Sequence, residues 1–206
     1  MEPVERSFLA GPAPEVAPRL LNKILLAADG RAGRIVEVEA YGGPPDQDLP
    51  DPAAHSFRGP KGRNLTMFGP PGHLYVYFSY GVHWCANVVT SRPGQASAVL
   101  LRALAPVSGV DAMRRARWRN QKRQDDLDLC RGPGRLAQAM GIDRTYDGVD
   151  LCAEDSPVRL VTDGTNPPDA PMVTTRIGIS VGVDTPWRFA VPGHPGVSGG
   201  RRVNFQ

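Results

Sequence analysis

RIVEVEAY, residues 34–41, alternates apolar and polar side chains with a period of two, and this pattern predicts a β-strand. Because successive side chains of a strand point to opposite faces, the odd-numbered residues from Ile35 to Tyr41 should share one face and the even-numbered residues from Val36 to Ala40 the other. The odd-numbered face carries two glutamates and a tyrosine. Such a face is typical of a solvated surface strand, and also of the mouth of a site where a carboxylate works beside an aromatic ring.

The rest of the chain combines short strand signals with a few helix signals. Helices are predicted within 15–27, where a short helix runs into a strand, over the basic segment 109–124, and over 131–142, where a Gly-Pro turn precedes a helix ending near Gly141. Strands are predicted at 74–79, 82–89, 97–104 and, near the C-terminus, at VRLV (158–161), RIGIS (176–180) and WRFAV (187–191). A turn signal at Tyr80-Gly81 joins two of the strands into a hairpin. Since regular βαβ alternation is missing, the sequence predicts an α+β fold.

A single domain is predicted over residues 1–206, because the chain has single-domain length and shows no linker or internal repeat. Residues 1–14 are expected to form a flexible or loosely docked lead-in. Residues 42–54, GGPPDQDLPDPAA, are rich in Pro, Gly and Asp and predict a loop.

The composition argues against several classes of protein. No stretch approaches the roughly 18 apolar residues of a membrane span, and the N-terminus lacks the basic start and apolar run of a signal peptide. We therefore expect a cytosolic protein that has no membrane partner. The three cysteines form no CxxC pair and the four histidines no HExxH spacing, which argues against a disulfide framework or a metal site. We expect neither a metal nor an organic cofactor.

Arginine supplies most of the positive charge. Of the 24 basic residues three are lysines, so 21 are arginines, the residue type best suited to bidentate phosphate contacts. A GC-rich genome would produce the same bias. The basic segment carries six cations, Arg114, Arg115, Arg117, Arg119, Lys122 and Arg123. They fit either a solvated helix surface or a phosphate track. RGPGR, residues 131–135, places two arginines at a predicted helix start, a geometry that can hold a phosphate.

Arg102 interrupts the apolar strand signal at 97–104. An unpaired buried charge is strongly destabilising, so this arginine needs a partner. The sequence leaves two partners open: an internal carboxylate such as Glu39, or the phosphate of a ligand. Asn87, at the end of another strand, is ambiguous in the same way.

Several aromatic residues surround the predicted hairpin. Tyr80 falls in the turn, where its ring would project into solvent, and one use of an exposed ring is as a wedge between base pairs. Tyr77, His83 and Trp84 could supply stacking surfaces for bases. The alternative is that these aromatic residues pack the core and that Tyr80 has no role.

Seven short motifs, in order along the chain, resemble the alkyladenine DNA glycosylase family, also called the 3-methyladenine or methylpurine DNA glycosylase family. They are IVEVEAY (35–41), AAHS (53–56), GRN with MFG (62–69), LYVYFSYG (74–81), CAN (85–87), VLLRAL (99–104) and RGPGRL (131–136). The similarity covers roughly residues 18–203. It implies a single-domain α+β fold with a curved, mostly antiparallel sheet, flanking helices and a hairpin that protrudes into the DNA minor groove.

The resemblance also implies roles for the residues that match these motifs. Glu39 matches the general base that activates water, and Arg102 the arginine that helps hold this water and the flipped nucleotide. Tyr80 matches the wedge that fills the gap in the duplex, and Asn87 the asparagine that crowds the 2-amino group of guanine. The residues that enclose the flipped base are Tyr41, His55 and Tyr77. Contacts with the DNA backbone are expected from Arg63, Arg114, Arg117, Arg131 and Arg135.

The implied function is that of a monofunctional DNA glycosylase in base excision repair. Acting as a monomer on double-stranded DNA, it would remove alkylated or deaminated purines such as 3-methyladenine or hypoxanthine and leave an abasic site. No lyase activity is expected, because the three lysines lie outside the matched pocket motifs. Glu37 matches no catalytic position, so Glu37→Gln should be far milder than Glu39→Gln.

Two departures from the family pattern bear on the lesion preference. The 42–54 loop is long and acidic, and His83-Trp84 replaces a more usual aromatic or aliphatic pair beside the wedge. The long N-terminal extension of eukaryotic members is absent, so a bacterial, nucleoid-associated protein is expected. One alternative is a non-catalytic binder of damaged or distorted nucleic acid, which would need the aromatic residues and arginines but not Glu39. The other is an unrelated enzyme acting on a nucleotide or another small molecule.

Overall fold

An antiparallel sheet organises the chain, and RIVEVEAY lies on its central strand. The structure is a computed structural model and describes residues 1–117 and 125–199. Within these residues the strands are β1 Glu2–Pro3, β2 Ile24–Ala27, β3 Ala32–Tyr41, β4 Leu74–Ser79, β5 His83–Val89, β6 Ala98–Ser108, β7 Val158–Thr162, β8 Met172–Thr174 and β9 Arg188–Ala190. The helices are α1 Arg6–Leu9, α2 Ala13–Leu20, α3 Val110–Arg117 and α4 Pro133–Met140, with 3-10 turns at Gly62–Phe68, Asp126–Asp128 and Arg144–Tyr146.

The strand order is β1-β7-β2-β3-β6-β5-β4, and β9 pairs with both β3 and β8. The long strand β6 follows β3 along one edge from Ala32 to Tyr41. The other edge of β3 is divided between β2, which pairs with its first residues, and β9, which pairs with Glu37 to Glu39. All the strand pairs are antiparallel, and the sheet curls into a half-barrel. The predicted α+β class with a curved antiparallel sheet is confirmed.

The main hydrophobic core lies between this sheet and the helices. Helix α2 is amphipathic and buries Val16, Ala17 and Leu20 against the sheet. Helix α4 packs on β5 and β6; it begins with Pro133 at a position where the missing N–H is harmless, and Gly141 ends it in the left-handed conformation. No helix in the described part of the chain is both long and apolar enough to cross a membrane.

The N-terminal residues 1–14, expected to be a loosely docked lead-in, are packed against the sheet. β1 pairs with β7, Leu9 and Ala13 are fully buried in the main core, and the Arg6 guanidinium lies 2.6 Å from the Asp150 carboxylate. The segment therefore contributes to the core that the sheet and α2 share.

The predicted strand RIGIS, Arg176–Ser180, is not a strand. These residues form bends and irregular backbone. Two interactions with distant groups explain the difference: the Arg176 side chain is buried in an ion pair with Asp51, and the Ile177 N–H donates to a carboxylate oxygen of Glu39 rather than to a neighbouring strand.

Strand β3 departs from regular alternation at one point. Its pairing register with β6 shifts on both sides of Glu37, which marks a β-bulge. Ile35 consequently joins Val38 and Ala40 in the main core, so the prediction that it shares a face with the glutamates is wrong. Glu37, Glu39 and Tyr41 do share a face, since Arg102 contacts both glutamates and the Tyr41 hydroxyl donates to Glu39.

Candidate active site

A cavity of about 710 Å³ opens between the β4–β5 hairpin, the end of β3 and the segment 177–181. Its volume lies within the range of small-molecule sites in proteins. Seven of the predicted site residues line it, namely Tyr41, His55, Arg63, Tyr77, Tyr80, Asn87 and Arg102. The fold thus brings together residues that span more than 60 positions of the sequence.

Glu39 lies directly behind the cavity wall. Its side chain is fully buried and does not itself line the cavity. Oε2 accepts hydrogen bonds from the Tyr41 hydroxyl at 3.0 Å and Arg102 Nη1 at 3.2 Å, and Oε1 accepts one from the Ile177 N–H at 2.8 Å. The three donors all belong to cavity-lining residues. Because a carboxylate has about four acceptor positions, these contacts leave about one position of Glu39 for a water molecule.

The Arg102 guanidinium lies between the two glutamates and donates to both of them. Its Nε donates to Glu37 at 3.0 Å, Nη1 to Glu39 at 3.2 Å and Nη2 to the Ser198 hydroxyl at 3.1 Å. Burial alone would lower the pKa of Arg102, but the negative charges of Glu39 and Glu37 outweigh burial and raise it. Of the partners left open by the sequence, the structure selects the internal carboxylates, while the cavity-facing side of Arg102 stays within reach of a ligand.

Glu37 is as deeply buried as Glu39 and accepts more hydrogen bonds, four against three. Arg188 Nε donates to it at 2.7 Å, and Ser198 donates through both its N–H and its hydroxyl. Neither glutamate lies on a solvated face, so that alternative is excluded for β3. Sequence reasoning gave Glu37 no role and missed Arg188 and Ser198, because their connection to the site passes through contacts of 65 to 161 residues in sequence separation.

The 42–54 loop is anchored beside Tyr41 by a buried ion pair. Asp51 accepts two hydrogen bonds from the Arg176 guanidinium, at 2.6 and 2.9 Å, and both side chains are essentially inaccessible to solvent. Asp51 also accepts from the Gly42 and Ala53 N–H groups. The Arg176 guanidinium lies 4.7 Å from the centre of the Tyr41 ring, a cation–π distance. The acidic loop therefore supports one wall of the cavity.

Three aromatic rings form another part of the cavity wall. His55 meets Tyr77 edge to face, with ring centres 4.5 Å apart, and Tyr75 stacks on Tyr77 at 5.4 Å. Burial raises the pKa of Tyr77 and, together with the charge of Glu39, that of Tyr41, so both phenols are neutral at physiological pH. Desolvation by its neighbours, with a smaller effect of the Arg63 charge, lowers the pKa of His55. The rings thus offer uncharged, electron-rich stacking surfaces.

Asn87 is a buried part of the cavity wall. Its side-chain amide donates to the Tyr75 carbonyl at 3.1 Å, which fixes the orientation of the side chain. Asn87 therefore makes a structural bond within the hairpin and also faces the cavity.

The hairpin turn presents Tyr80 to solvent. The Tyr80 side chain is 86% exposed, and both Tyr80 and Gly81 have positive φ angles, 50° and 68°. A left-handed conformation is unfavourable for a bulky residue that is not glycine. The Tyr80 hydroxyl lies 3.4 Å from the Gly178 carbonyl across the cavity mouth. The hairpin and its exposed tip are present, whereas the protrusion implied by the family resemblance stays a prediction.

The residues that flank the tip have separate contacts. Trp84 packs against Phe78, with ring centres 4.8 Å apart. The His83 ring lies so close to Gly134 that a Cβ there would approach it to 2.6 Å. His83 therefore packs the hairpin against the start of α4, and its ring explains why a glycine follows Pro133 in RGPGR.

The arginines expected at the DNA backbone differ in their present partners. Arg114 is bound by Asp111 and Asp126, Arg117 by Gln138, and Arg131 donates Nε to the Val197 carbonyl. Arg135 is half-exposed and 3.8 Å from Asp128. Arg63 is exposed at the cavity edge, as is Arg144, which the sequence analysis did not single out. The predicted cations at 119, 122 and 123 lie outside the described residues.

The potential metal ligands do not cluster. Within residues 1–117 and 125–199, no group of three or more His, Cys, Asp or Glu side chains is arranged to hold a metal ion. The cavity contains one thiol, Cys85, whose pKa burial raises above its ordinary value. A thiol in that state is a weak nucleophile at neutral pH.

Comparisons with known proteins agree with this geometry. The sequence model of the methylpurine-DNA glycosylase (MPG) family matches residues 7–195. A protein of Burkholderia cenocepacia (strain HI2424) is 57% identical over 196 residues, which cover 95% of this chain and 91% of the relative. Proteins of Rhodopseudomonas palustris (strain HaA2) and Mycolicibacterium paratuberculosis (strain ATCC BAA-968 / K-10) are 47% and 48% identical, covering 95% and 91% of this chain and 90% and 88% of the relatives. All three carry the name "Putative 3-methyladenine DNA glycosylase".

The match spans the hairpin, the cavity lining and both glutamates of β3. DNA glycosylases act in DNA repair, and the open, aromatic-lined cavity beside buried acidic and basic groups suits such an enzyme. The chain belongs to the methylpurine-DNA glycosylase family.

Proposed function

We propose that this DNA glycosylase removes alkylated or deaminated purines, such as 3-methyladenine or hypoxanthine, from double-stranded DNA by hydrolysis that Glu39 promotes. The observation that carries the proposal is the buried Glu39 carboxylate, held by Arg102 and Tyr41 directly behind a cavity walled by aromatic rings. A carboxylate in this position is suited both to accept a proton from water and to oppose positive charge on a sugar.

The purine would occupy the space between Tyr41 on one side and Tyr77 with His55 on the other. These rings line a cavity large enough for a base. Alkylated purines such as 3-methyladenine carry positive charge and are attracted to the faces of neutral aromatic rings. Asn87, held rigidly by its bond to the Tyr75 carbonyl, would crowd the 2-amino group of an undamaged guanine.

The nucleotide must leave the duplex to reach this cavity. Unpairing and unstacking cost a few kcal/mol, and less for a damaged base. Tyr80 is the residue we propose as the wedge that fills the vacated space, since its ring is exposed and its backbone is held in an unfavourable conformation at the hairpin tip. To enter the duplex, Tyr80 would have to give up its contact with the Gly178 carbonyl.

In the hydrolysis, water would bind at the remaining acceptor position of Glu39. Glu39 takes a proton from this water as the water oxygen bonds to the sugar C1′. The bond from C1′ to the purine nitrogen breaks at the same time, and the purine leaves with the bonding electrons. Because Glu39 lies one layer behind the cavity surface, the water needs an opening between Tyr41, Arg102 and Ile177. The segment 177–181, which is irregular rather than a strand, is the element best placed to move.

We also propose that the enzyme is monofunctional. A lyase would use an amine to form a Schiff base with the abasic sugar. The lysines of the described residues, Lys23 and Lys61, do not line the cavity, and Lys122 lies outside those residues. Borohydride should therefore trap no covalent complex with abasic DNA, and a trapped complex would show that the proposal is wrong on this point.

The test of the proposed function is base release from duplexes that each contain one lesion. We expect free 3-methyladenine or hypoxanthine and an alkali-labile abasic site, with no strand break before alkali treatment. A gel shift of the lesion duplex that weakens with salt should accompany release. If the lesion duplex is bound but no lesion in the panel is released, the protein is a binder of damaged DNA, and the proposal fails.

A further inference from the structure

Four protein donors hold the Glu37 carboxylate. It accepts from Arg102 Nε at 3.0 Å, Arg188 Nε at 2.7 Å, the Ser198 hydroxyl at 2.9 Å and the Ser198 N–H at 2.5 Å. Three of these donors share Oε1, and the Ser198 N–H binds Oε2. Glu37 is also fully buried and does not line the cavity. It therefore does not face a ligand in the cavity, and any effect on catalysis must pass through its partners.

Its most important partner is the Arg102 guanidinium, which is held at each of its three nitrogens by a different acceptor. Glu37 takes Nε, Glu39 takes Nη1 and the Ser198 hydroxyl takes Nη2. A planar fork with one contact on each nitrogen cannot rotate without losing at least one bond. Glu37 and Ser198 thus fix the plane in which Arg102 meets Glu39.

The charges of the cluster explain why two glutamates are needed. Glu37 and Glu39 carry two negative charges, and Arg102 and Arg188 carry two positive charges, all in buried side chains. Without the Glu37 charge, Arg102 would be attracted to Glu39 alone. A second contact from Arg102 would then compete with water for the remaining acceptor position of Glu39.

We propose that Glu37 and Ser198 are positioning residues for base release, which limit Arg102 to a single contact with Glu39 and so keep one position of Glu39 open to water. This inference rests on the proposed function of Glu39 and Arg102. It gives Glu37, which matches no catalytic position in the sequence, a role in the reaction while keeping Glu37→Gln milder than Glu39→Gln.

The C-terminal part of the described chain becomes a component of the site in this arrangement. Ser198 is held by Glu37 and by Arg188 Nη2, which donates to its carbonyl at 2.8 Å. The neighbouring Val197 carbonyl accepts from Arg131 Nε at 2.9 Å. Arg131, which the family resemblance predicts at the DNA backbone, contributes its Nε to the docking of this segment.

The first experiment measures base release from a hypoxanthine duplex in a single turnover with enzyme in excess. Glu37→Gln should lower this rate by about 10- to 100-fold, the range expected when a supporting contact shifts a reacting group by about 1 Å. The dissociation constant for a duplex with a 2′-fluoro lesion that resists hydrolysis should change by less than about threefold, because Glu37 lies away from the cavity surface. Asp150→Asn, which breaks an ion pair with Arg6 outside the cavity, is the control and should retain the wild-type rate.

A second set of variants keeps the test decisive if Glu37→Gln does not fold. Ser198→Ala removes the hydroxyl that bonds to both Arg102 and Glu37, and it should slow single-turnover release at least about fivefold, the value of one net hydrogen bond. Ser198→Thr keeps the hydroxyl and should recover most of the lost rate. Ser156→Ala, which removes a buried hydroxyl bonded to the Val158 carbonyl away from the cavity, is the matched control for the loss of a serine.

The outcomes separate this inference from the proposed function. If Glu39→Gln abolishes release while Ser198→Ala, and Glu37→Gln where it folds, release base at the control rate, the positioning role is wrong and the role of Glu39 stands. If Ser198→Ala is slow but Ser198→Thr is equally slow, the hydroxyl is not responsible and the inference also fails. If Glu39→Gln releases base at the wild-type rate, the proposed function itself is wrong.

Discussion

The ion pair between Asp51 and Arg176 offers a quantitative prediction about the 42–54 loop. Asp51→Asn would leave the Arg176 guanidinium in a buried site without a negative partner, since both side chains are almost inaccessible to solvent. Removing one member of a buried pair typically costs about 3–5 kcal/mol. For a domain of this length each kcal/mol lowers the midpoint of thermal unfolding by about 2–4 °C, so a decrease of about 6–20 °C is expected.

The same pair allows the effect on stability to be separated from the effect on activity. Replacing both members together, as in Asp51→Leu with Arg176→Met, removes both charges and also the Arg176 Nε, which is buried without a hydrogen-bond partner. Such paired replacements are often neutral or stabilising. We expect the double variant to regain most of the lost unfolding temperature. Base release should stay impaired, because the cation that lies 4.7 Å from the centre of the Tyr41 ring is gone.

Differential scanning calorimetry and single-turnover base release on the two variants test this reasoning. A decrease below about 2 °C for Asp51→Asn would mean that the pair behaves as an exposed one, whose value is typically less than about 1 kcal/mol. The account of the loop would then be refuted. Full activity in the double variant would instead refute the claim that the ion pair supports Tyr41.

Three further predictions concern the DNA contacts and the pH dependence. Tyr80→Ala should slow base release from a fully paired duplex by about 10- to 100-fold and base release from single-stranded DNA much less, because unstacking costs a few kcal/mol in the duplex only. Equal effects on both substrates would exclude a role of Tyr80 as a wedge. Arg63→Ala should make the slope of the log binding constant against the log salt concentration shallower by about one. Arg114→Ala should leave this slope unchanged, because Arg114 already binds two aspartates. A larger change for Arg114→Ala than for Arg63→Ala in salt titrations would reverse this assignment. Burial, with the Arg63 charge as a smaller cause, lowers the pKa of His55 in the folded protein. As the pH falls, the His55 imidazole is therefore protonated in the unfolded chain before it is protonated in the folded one. The free energy of unfolding should consequently decrease as the pH drops below about 6.5. His55→Gln should reduce that fall in urea titrations, leaving the part due to His194, whose pKa burial also lowers; an unchanged pH profile would contradict the assignment.

The strand at the centre of the fold shows what local sequence can and cannot predict. A period of two is a local property, so RIVEVEAY was enough to predict β3 and the common face of Glu37, Glu39 and Tyr41. The bulge at Glu37 depends on how β6 pairs with β3, and β6 is some 60 residues away. The placement of Ile35 was wrong for this reason.

The segment RIGIS shows how distant partners override a local pattern. Its alternation is that of a strand, yet Arg176 binds Asp51 and Ile177 donates to Glu39, across 125 and 138 residues. In this segment, bonds to two buried carboxylates take the place of pairing with a neighbouring strand. An arginine within a predicted strand indicated a buried partner at Arg102, and the same inference could have been made at Arg176.

For the site, residue types and ordered motifs identified the residues that face the cavity, but not those that support them. Tyr41, His55, Tyr77, Asn87 and Arg102 all line the cavity, as expected from the motifs. The supporting contacts depend on which side chains meet across the folded chain. The sequence alone holds no signal that Ser198 would complete the bonds of Arg102.

Single-turnover base release from a hypoxanthine duplex by Glu39→Gln tests whether the Glu39 carboxylate promotes hydrolysis. Glu154→Gln, which alters an exposed glutamate away from the cavity, is the control. General base catalysis typically contributes about 10²- to 10⁴-fold, so we expect Glu39→Gln to lose at least about 10²-fold in rate while still binding the lesion duplex. A rate within about threefold of wild type, from a folded variant, would contradict the account.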